Sequence, residues 1–340
     1  MKKVVTFGEI MLRLSPPGYK RFVQANSFDV IYGGGEANVA VSLANYGVPT
    51  EFVTKVPEHE IGQCAINSLR QLGVGTQHIL RGGERLGIYF LEHGASQRPS
   101  KVIYDRAHSS ISQVQPGEFN WEEIFKDAGW FHFTGITPAL GEGPAKVTLE
   151  ALQAAKAQGV TVSVDLNYRK KLWTPEQANK TMSQFMEYVD LVIANEEDAE
   201  KVFGIKAGES NVTAGKLSEE GYREVAKQLM DRFGLKKVAI TLRESLSASD
   251  NNWSALLYNG QEFYRSRIYT IHIVDRVGGG DSFGGGLING LLSGKGDQDA
   301  LEFAVAASCL KHTVFGDYNL MSAAEVELLA KGDASGRVQR

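Results

Sequence analysis

The chain has 340 residues and a mass of 37.2 kDa, with 43% apolar and 22% charged residues, the proportions of an ordinary globule with one large α/β domain or two smaller ones. A formal net charge of −4 gives no electrostatic case for nucleic acid or an anionic membrane as partner. Cys64 and Cys309 lie far apart, with no C-x-x-C spacing and no histidine cluster, which argues against a disulfide scaffold or zinc site and for a reducing compartment.

From the N-terminus, the apolar run 3–7 before Gly8-Glu9 predicts a buried parallel strand. Glu9 and Arg13 interrupt it too early for a signal peptide, and no apolar run approaches the roughly 20 residues of a membrane helix, so the expected location is the cytoplasm. Residues 11–32 change character, with a Pro16-Pro17-Gly18 turn and short strands expected at 22–23 and 28–31. A similar segment returns at 87–108, with strands at 88–91 and 102–104. Two antiparallel pieces interrupting an α/β chain predict a small sheet added to one main domain, 1–340.

Between them, Gly33-Gly34-Gly35-Glu36-Ala37-Asn38-Val39-Ala40 opens a helix with Val39, Ala40, Leu43 and Ala44 on one face. On chemistry alone, an ordinary turn and helix start is the favoured reading. Tyr104-Asp105-Arg106 closes the second strand-rich segment; an Arg there is either a solvated side chain or an anion clamp.

From Trp130 a strand–helix alternation is plain. Strands are expected at 131–133, 160–164, 191–194 and 238–241, with helices at 145–157, 175–186 and 219–233. Asp165-Leu166-Asn167-Tyr168-Arg169 follows a strand, where open α/β sheets bind ligands. Asn195-Glu196-Glu197-Asp198 and Thr241-Leu242-Arg243-Glu244 follow two more. Residues 206–218 read as polar loop, 253–273 as further strands, 300–313 as a small-residue helix followed by a Phe315-Gly316-Asp317 turn, and 332–340 as a frayed end.

The most informative stretch is Asp275-Arg276-Val277-Gly278-Gly279-Gly280-Asp281-Ser282-Phe283, between a strand-like 268–274 and a helix-like 283–292. Three glycines let backbone N–H groups converge, and the helix N-terminus adds its positive dipole end: an anion site suited to phosphate. An Asp beside phosphate is unfavourable unless it has a task, and taking a proton from an attacking hydroxyl is one. The spacing fits neither G-x-G-x-x-G, which meets Phe283 where it needs glycine, nor the P-loop, whose near miss has Asn289 first and Gly296 last. Turn glycines and an Asp in a helix's first turn are also common on their own.

The stretch resembles the C-terminal signature D-x-T-G-A-G-D-[ST]-F of the ribokinase-like (PfkB) carbohydrate kinases, with Val277 for Thr and Gly279 for Ala. Residues 33–40 resemble that family's N-terminal G-G-x-x-x-N-x-A, and Asn195 to Asp198 resembles its N-x-x-E, with Asp198 for Glu. The resemblance spans essentially the whole chain. It implies a three-layer α/β/α sandwich with a mainly parallel central sheet and a small β-sheet lid closing over the sugar. It implies Asp281 as base, with Gly278, Gly279 and Gly280 as anion hole. Gly34 and Asn38 would meet the sugar, and Asn167, Asn195, Thr241 and Arg243, with the glycine loop, would meet ATP carrying Mg²⁺. The set 33–38, 88–90, 104–106, 165–169 and 316–317 looks like that of the 2-keto-3-deoxygluconate kinases. There Arg106 and Arg169 would hold the substrate's acid end, Tyr89 and Tyr104 would line the pocket, and Asp317 would contact the far hydroxyls. The rivals are another kinase of the family, or a sugar- or nucleotide-binding regulator without catalysis. Apolar lid strands further suggest a homo-oligomer.

Overall fold

The computed structural model describes residues 2–206 and 219–333; the expected loop at 206–218 and frayed end at 332–340 fall almost wholly outside them. Its strands in chain order are β1 (Lys3–Phe7), β2 (Met11–Ser15), β3 (Asp29–Gly33), β4 (Thr50–Val56), β5 (Ile79–Arg81), β6 (Gly87–Glu92) and β7 (Lys101–Asp105). There follow β8 (Ala128–Thr134), β9 (Thr161–Asp165), β10 (Leu191–Ala194), β11 (Lys237–Ser245), β12 (Asp250–Tyr258), β13 (Phe263–Arg265) and β14 (Tyr269–His272). The first helices are α1 (Gly35–Asn45), α2 (Glu60–Arg70), α3 (Trp121–Phe125), α4 (Ile136–Ala139), α5 (Glu142–Ala157) and α6 (Pro175–Phe185). The later ones are α7 (Glu196–Phe203), α8 (Glu219–Phe233), α9 (Gly279–Leu292), α10 (Asp297–Lys311) and α11 (Ala323–Ala330).

The main sheet runs β13-β12-β11-β10-β9-β8-β1-β4-β5, with β14 beside β12. From β11 to β5 every pairing is parallel, and β12 joins antiparallel. Parallel strands covered on both faces need apolar runs rather than alternation, and β10 (Leu-Val-Ile-Ala) is buried at all four positions. One face packs against α3, α5, α6, α7 and α8 through Phe131, Phe133, Val162 and Val192. The other packs against α1, α9 and α10 through Val4, Trp130, Ile193 and Ala239. Each such large apolar side chain contributes roughly 1.5–3 kcal/mol by leaving water. The chain begins at β1, runs outward to β4 and β5, then returns to β8 on the other side. The crevice where the order reverses, at the C-terminal ends of β1 and β8, is where ligands bind in such sheets.

The second sheet is the expected lid, ordered β3-β2-β6-β7. Its two hairpin-like pairs are antiparallel, but β2 and β6, which join them, run parallel. The strand expected at 22–23 is a short 3₁₀ turn, Phe22–Gln24, held by Phe22 N–H donating to Glu92 Oε2 at 2.8 Å. The signature helix starts at Gly279, not at 283, so Asp281 sits inside its first turn rather than before it.

Candidate active site

A cavity of about 440 Å³ lies between the lid and the strand ends. Lid strands bring Tyr89, Tyr104 and Arg106 to it. The ends of β9, β10 and β11 bring Asn167 and Arg169, Asn195, and Thr241 and Arg243. Helix α1 adds Gly34 and Asn38, and the glycine loop adds Gly278, Gly279, Gly280 and Asp281, with Asp317 from the following turn. Every residue singled out from sequence therefore meets in one place, although they span positions 34 to 317.

Gly278 is the N-cap of α9 at φ +82°, the left-handed region that favours glycine, and a Cβ there would fall 2.0 Å from the Asp317 carbonyl oxygen. At Gly279 an added Cβ would meet the buried His312 ring at 2.4 Å, which explains glycine where the family signature has alanine. Gly280 is different: a Cβ there meets nothing within 4 Å. No protein atom demands glycine at 280, and Gly280 lines the cavity at a helix N-terminus, a setting that suits an anion. Val277 joins Met11, Tyr89 and Leu91 of the lid in an apolar cluster, a contact that a threonine would make less well.

Asp281 is the carboxylate facing this space. Burial pushes its pKa up to about 6; the Asn38 hydrogen bond acts against that shift, and nearby Asp317 adds to it. Asn38 spends its amide here: Nδ2 donates to Asp281 Oδ2 at 2.7 Å, and Oδ1 accepts from Gly34 N–H at 3.3 Å. It thus orients the carboxylate from the cavity wall. Gly34 cannot carry a side chain, since a Cβ would lie 1.9 Å from the Glu9 carbonyl oxygen.

Arg106 lines the cavity, but its guanidinium is ion-paired with the buried Glu9 carboxylate. Arg169 is exposed, donates to the Tyr168 carbonyl at 3.2 Å, and makes no salt bridge among the described residues. Asp317 is buried; it accepts from the Tyr89 hydroxyl and pairs with Arg13 at 2.7 Å. Asn195 caps α7 by accepting from the N–H groups of Glu197 and Asp198. Asp198 in turn accepts from Tyr168 N–H at 3.0 Å and Asn195 N–H at 3.2 Å, so its shorter side chain ties two strand ends together. The Thr241 hydroxyl reaches the Ala194 carbonyl at 3.5 Å.

Three residues in or behind this site had been given no role of their own from the sequence. Asp165 lines the cavity, and burial with the nearby charges of Asp198 and Asp281 raises its pKa well above the ordinary value. Arg276, inside the signature, lines it too. Arg13 is wholly buried behind it. Among the described residues no cluster of three or more His, Cys, Asp or Glu is arranged to hold a metal alone. The mutual repulsion of Asp165, Asp198 and Asp281 is nevertheless what a cation brought in with a ligand's phosphates would relieve, so the residues present fit Mg²⁺ arriving on a nucleotide.

Comparison with known proteins agrees with this geometry. The family model described as pfkB family carbohydrate kinase matches residues 1–324. A 2-dehydro-3-deoxygalactonokinase of Haloferax volcanii is 33% identical, covering 98% of each chain. A 2-dehydro-3-deoxygluconokinase of Bacillus subtilis is 28% identical over 92% of this chain and 90% of its own. The crystal structure of the 2-dehydro-3-deoxygluconokinase of Thermotoga maritima superposes with a TM-score of 0.94 at 55% identity, covering 97% of this chain and 98% of that one. With a model match over nearly its whole length, this chain belongs to the pfkB family of carbohydrate kinases.

Proposed function

We propose that the protein transfers the γ-phosphoryl group of ATP to a hydroxyl of 2-keto-3-deoxygluconate, giving 2-keto-3-deoxy-6-phosphogluconate. The observation that carries this reading is the Asp281 carboxylate, held by Asn38 within the first turn of α9, beside a glycine that lines the same cavity. Asp281 takes the proton of the attacking hydroxyl as its oxygen bonds to the γ-phosphorus and ADP leaves. The N–H groups of the glycine loop and the dipole of α9 meet the charge on the phosphoryl oxygens. Mg²⁺ bound to the nucleotide would neutralise β- and γ-phosphate charge. Asn167, Asn195, Thr241 and Arg243 line the part of the cavity assigned to ATP, and the lid keeps water, a competing acceptor, away from the reaction.

The acceptor's acid end is assigned to Arg169, whose guanidinium has no carboxylate partner among the described residues, with Arg106, already paired to Glu9, as the second cation. Tyr89, Tyr104 and Asp317 would face the sugar chain. A charge-assisted hydrogen bond contributes roughly 1.5–3 kcal/mol, so Arg169→Met is expected to raise the KM for the sugar acid about 10- to 150-fold, with the KM for ATP unchanged. Steady-state kinetics with each substrate varied in turn checks this; an unchanged acceptor KM removes Arg169 from the site.

The test of the reading itself is ADP release with Mg-ATP and either 2-keto-3-deoxygluconate or its galacto epimer, since relatives named for both acids resemble this chain. Fructose, ribose and fructose 6-phosphate are the controls. Turnover confined to the keto acids supports the proposal, and turnover with a control sugar instead overturns the substrate.

The location we assign is the cytoplasm, where the free cysteines Cys64 and Cys309 stay reduced; no helix among the described residues is long and apolar enough to cross a membrane. The lid's outer surface leaves Val23, Val30 and Ile103 exposed at 89%, 60% and 46%, which supports a homo-oligomer formed through the lid. Light scattering at micromolar concentration is expected to give a multiple of the chain mass; a monomer refutes it.

A further inference from the structure

Lys311, at the end of α10, has no solvent exposure, and it is not among the residues lining the active-site cavity. A buried ammonium persists only when its protons find acceptors and its charge finds compensation. Lys311 Nζ donates to the backbone carbonyl of Asp275 at 3.2 Å and to that of Val314 at 3.3 Å. Burial lowers its pKa from the ordinary lysine value and Arg13 acts the same way, while Asp275, Asp317 and Asp281 favour the charged form.

The two carbonyls belong to different segments. Asp275 opens the glycine loop, and Val314 opens the turn that leads to Asp317. The turn and the loop touch directly, since the Asp317 carbonyl oxygen fills the space a Gly278 side chain would need. Gly316 N–H also donates to Asp275 Oδ2 at 3.0 Å. The lysine stem runs beneath the loop: a Cβ on Gly278 would lie 3.3 Å from Lys311 Cε. Without the ammonium, two carbonyl dipoles would point their negative ends into one dry pocket and push the loop and turn apart. That displacement would move the Gly278 N-cap and the N–H groups that follow it.

We propose that Lys311 is a positioning residue for phosphoryl transfer: an internal ammonium that clamps the glycine loop to the 314–317 turn and sets a fixed positive charge behind the phosphate-facing N–H groups. The inference rests on the kinase reading above but is tested so that the two can fail separately.

Lys311→Ala would leave a carbonyl-lined hole that methylammonium fits, whereas Lys311→Met fills the same hole with an apolar chain. ATP affinity by calorimetry, which requires no turnover, and kcat with the sugar acid are read for each variant, with near-UV circular dichroism as the check on folding. Weakened ATP binding and a kcat lower by roughly 10²–10³-fold are expected in both variants, the size of effect seen when anion-hole donors are lost. Methylammonium is expected to restore Lys311→Ala saturably, tetramethylammonium is not, and neither is expected to restore Lys311→Met. A folded Lys311→Met with wild-type kcat and ATP affinity overturns the proposal, as does a folded Lys311→Ala whose deficit ignores methylammonium. If Lys311→Ala does not fold, Lys311→Met decides alone, with an ATP-affinity and kcat loss at unchanged acceptor KM as the supporting result. Absence of turnover in the wild-type protein counts against the kinase reading, and ATP binding by the variants still tests the lysine.

Discussion

Asp281→Asn is expected to lower kcat by roughly 10²–10⁴-fold, the usual contribution of a general base, while leaving the fold and ATP affinity nearly unchanged. The replacement keeps the shape, and its amide oxygen can still accept from Asn38 Nδ2. What it loses is the ability to take a proton. The pH dependence gives a second readout of the same assignment. Burial raises the Asp281 pKa to about 6, so the carboxylate is ionised above that pH and protonated below it. The wild-type kcat/KM is expected to fall as pH drops through about 6, tenfold per unit once fully on the acid side, and that limb is expected to vanish in Asp281→Asn. A mutant retaining wild-type kcat, or one retaining the acid limb, removes Asp281 from the role of base. Glu36, which burial raises to about 7, is the group most easily confused with it. Its Oε1 accepts from Thr134 N–H and from the hydroxyls of Thr134 and Thr137; the residue is buried and does not line the cavity, and a Glu36→Gln control separates the two.

Much of the fold could be read from the sequence because parallel strands buried on both faces leave unbroken apolar runs. The expected strand at 191–194 and helix at 219–233 coincide with β10 and α8. The lid was harder. Strand β2, Met11-Leu12-Arg13-Leu14-Ser15, was not among the strands expected in 11–32, and its two leucines would be the ordinary choice for the inward face. The structure buries Met11, Arg13 and Ser15 instead and leaves the leucines partly covered, because Asp275 and Asp317, 262 and 304 positions away, wait on that side. Charge pairing across such a distance leaves no local trace. The helix start at Gly279 was hidden for another reason: Gly280 and Gly279 are poor helix formers, and the N-cap geometry at Gly278, the packing of His312 and the Ser308 hydroxyl donating to the Gly279 carbonyl at 2.7 Å hold the turn there. The candidate site was legible from two signatures, whereas the partners that consume the charge of Arg106 and the amide of Asn38 were not. A motif names the residue that faces a ligand but not the one behind it.

The larger stability effect is expected at one of those hidden partners. Arg13→Met should cost roughly 3–5 kcal/mol, the penalty for stripping the counter-charge from a buried pair. The Arg13 guanidinium is fully buried and donates to Asp275 Oδ2 at 2.6 Å and Asp317 Oδ1 at 2.7 Å, with His93 Nε2 at 3.0 Å and the Ser15 hydroxyl at 2.8 Å. Burial keeps His93 below its ordinary pKa, and because a guanidinium only donates, His93 Nε2 is the acceptor in this contact. Removing the cation leaves two carboxylates facing each other without solvent. Lysine is a poor replacement, since one ammonium cannot span four acceptors set out in the plane of a guanidinium fork. The expected result is a fall in the urea midpoint at unchanged slope for Arg13→Met, with only partial recovery in Arg13→Lys. A loss under about 1 kcal/mol, the range of exposed pairs, would show that water reaches this cluster. The placement also bears on catalysis. Arg13 lies on a lid strand, while Asp275 opens the glycine loop and Asp317 holds Tyr89 of the neighbouring lid strand. Asp317 rests against Gly278 on its other side. The lid and the glycine loop therefore share one buried set of charges. Apolar burial is non-directional, whereas short charge-assisted bonds lose strength steeply with distance and angle. That difference gives a reason for charge at this junction: it fixes the lid and the glycine loop in one register.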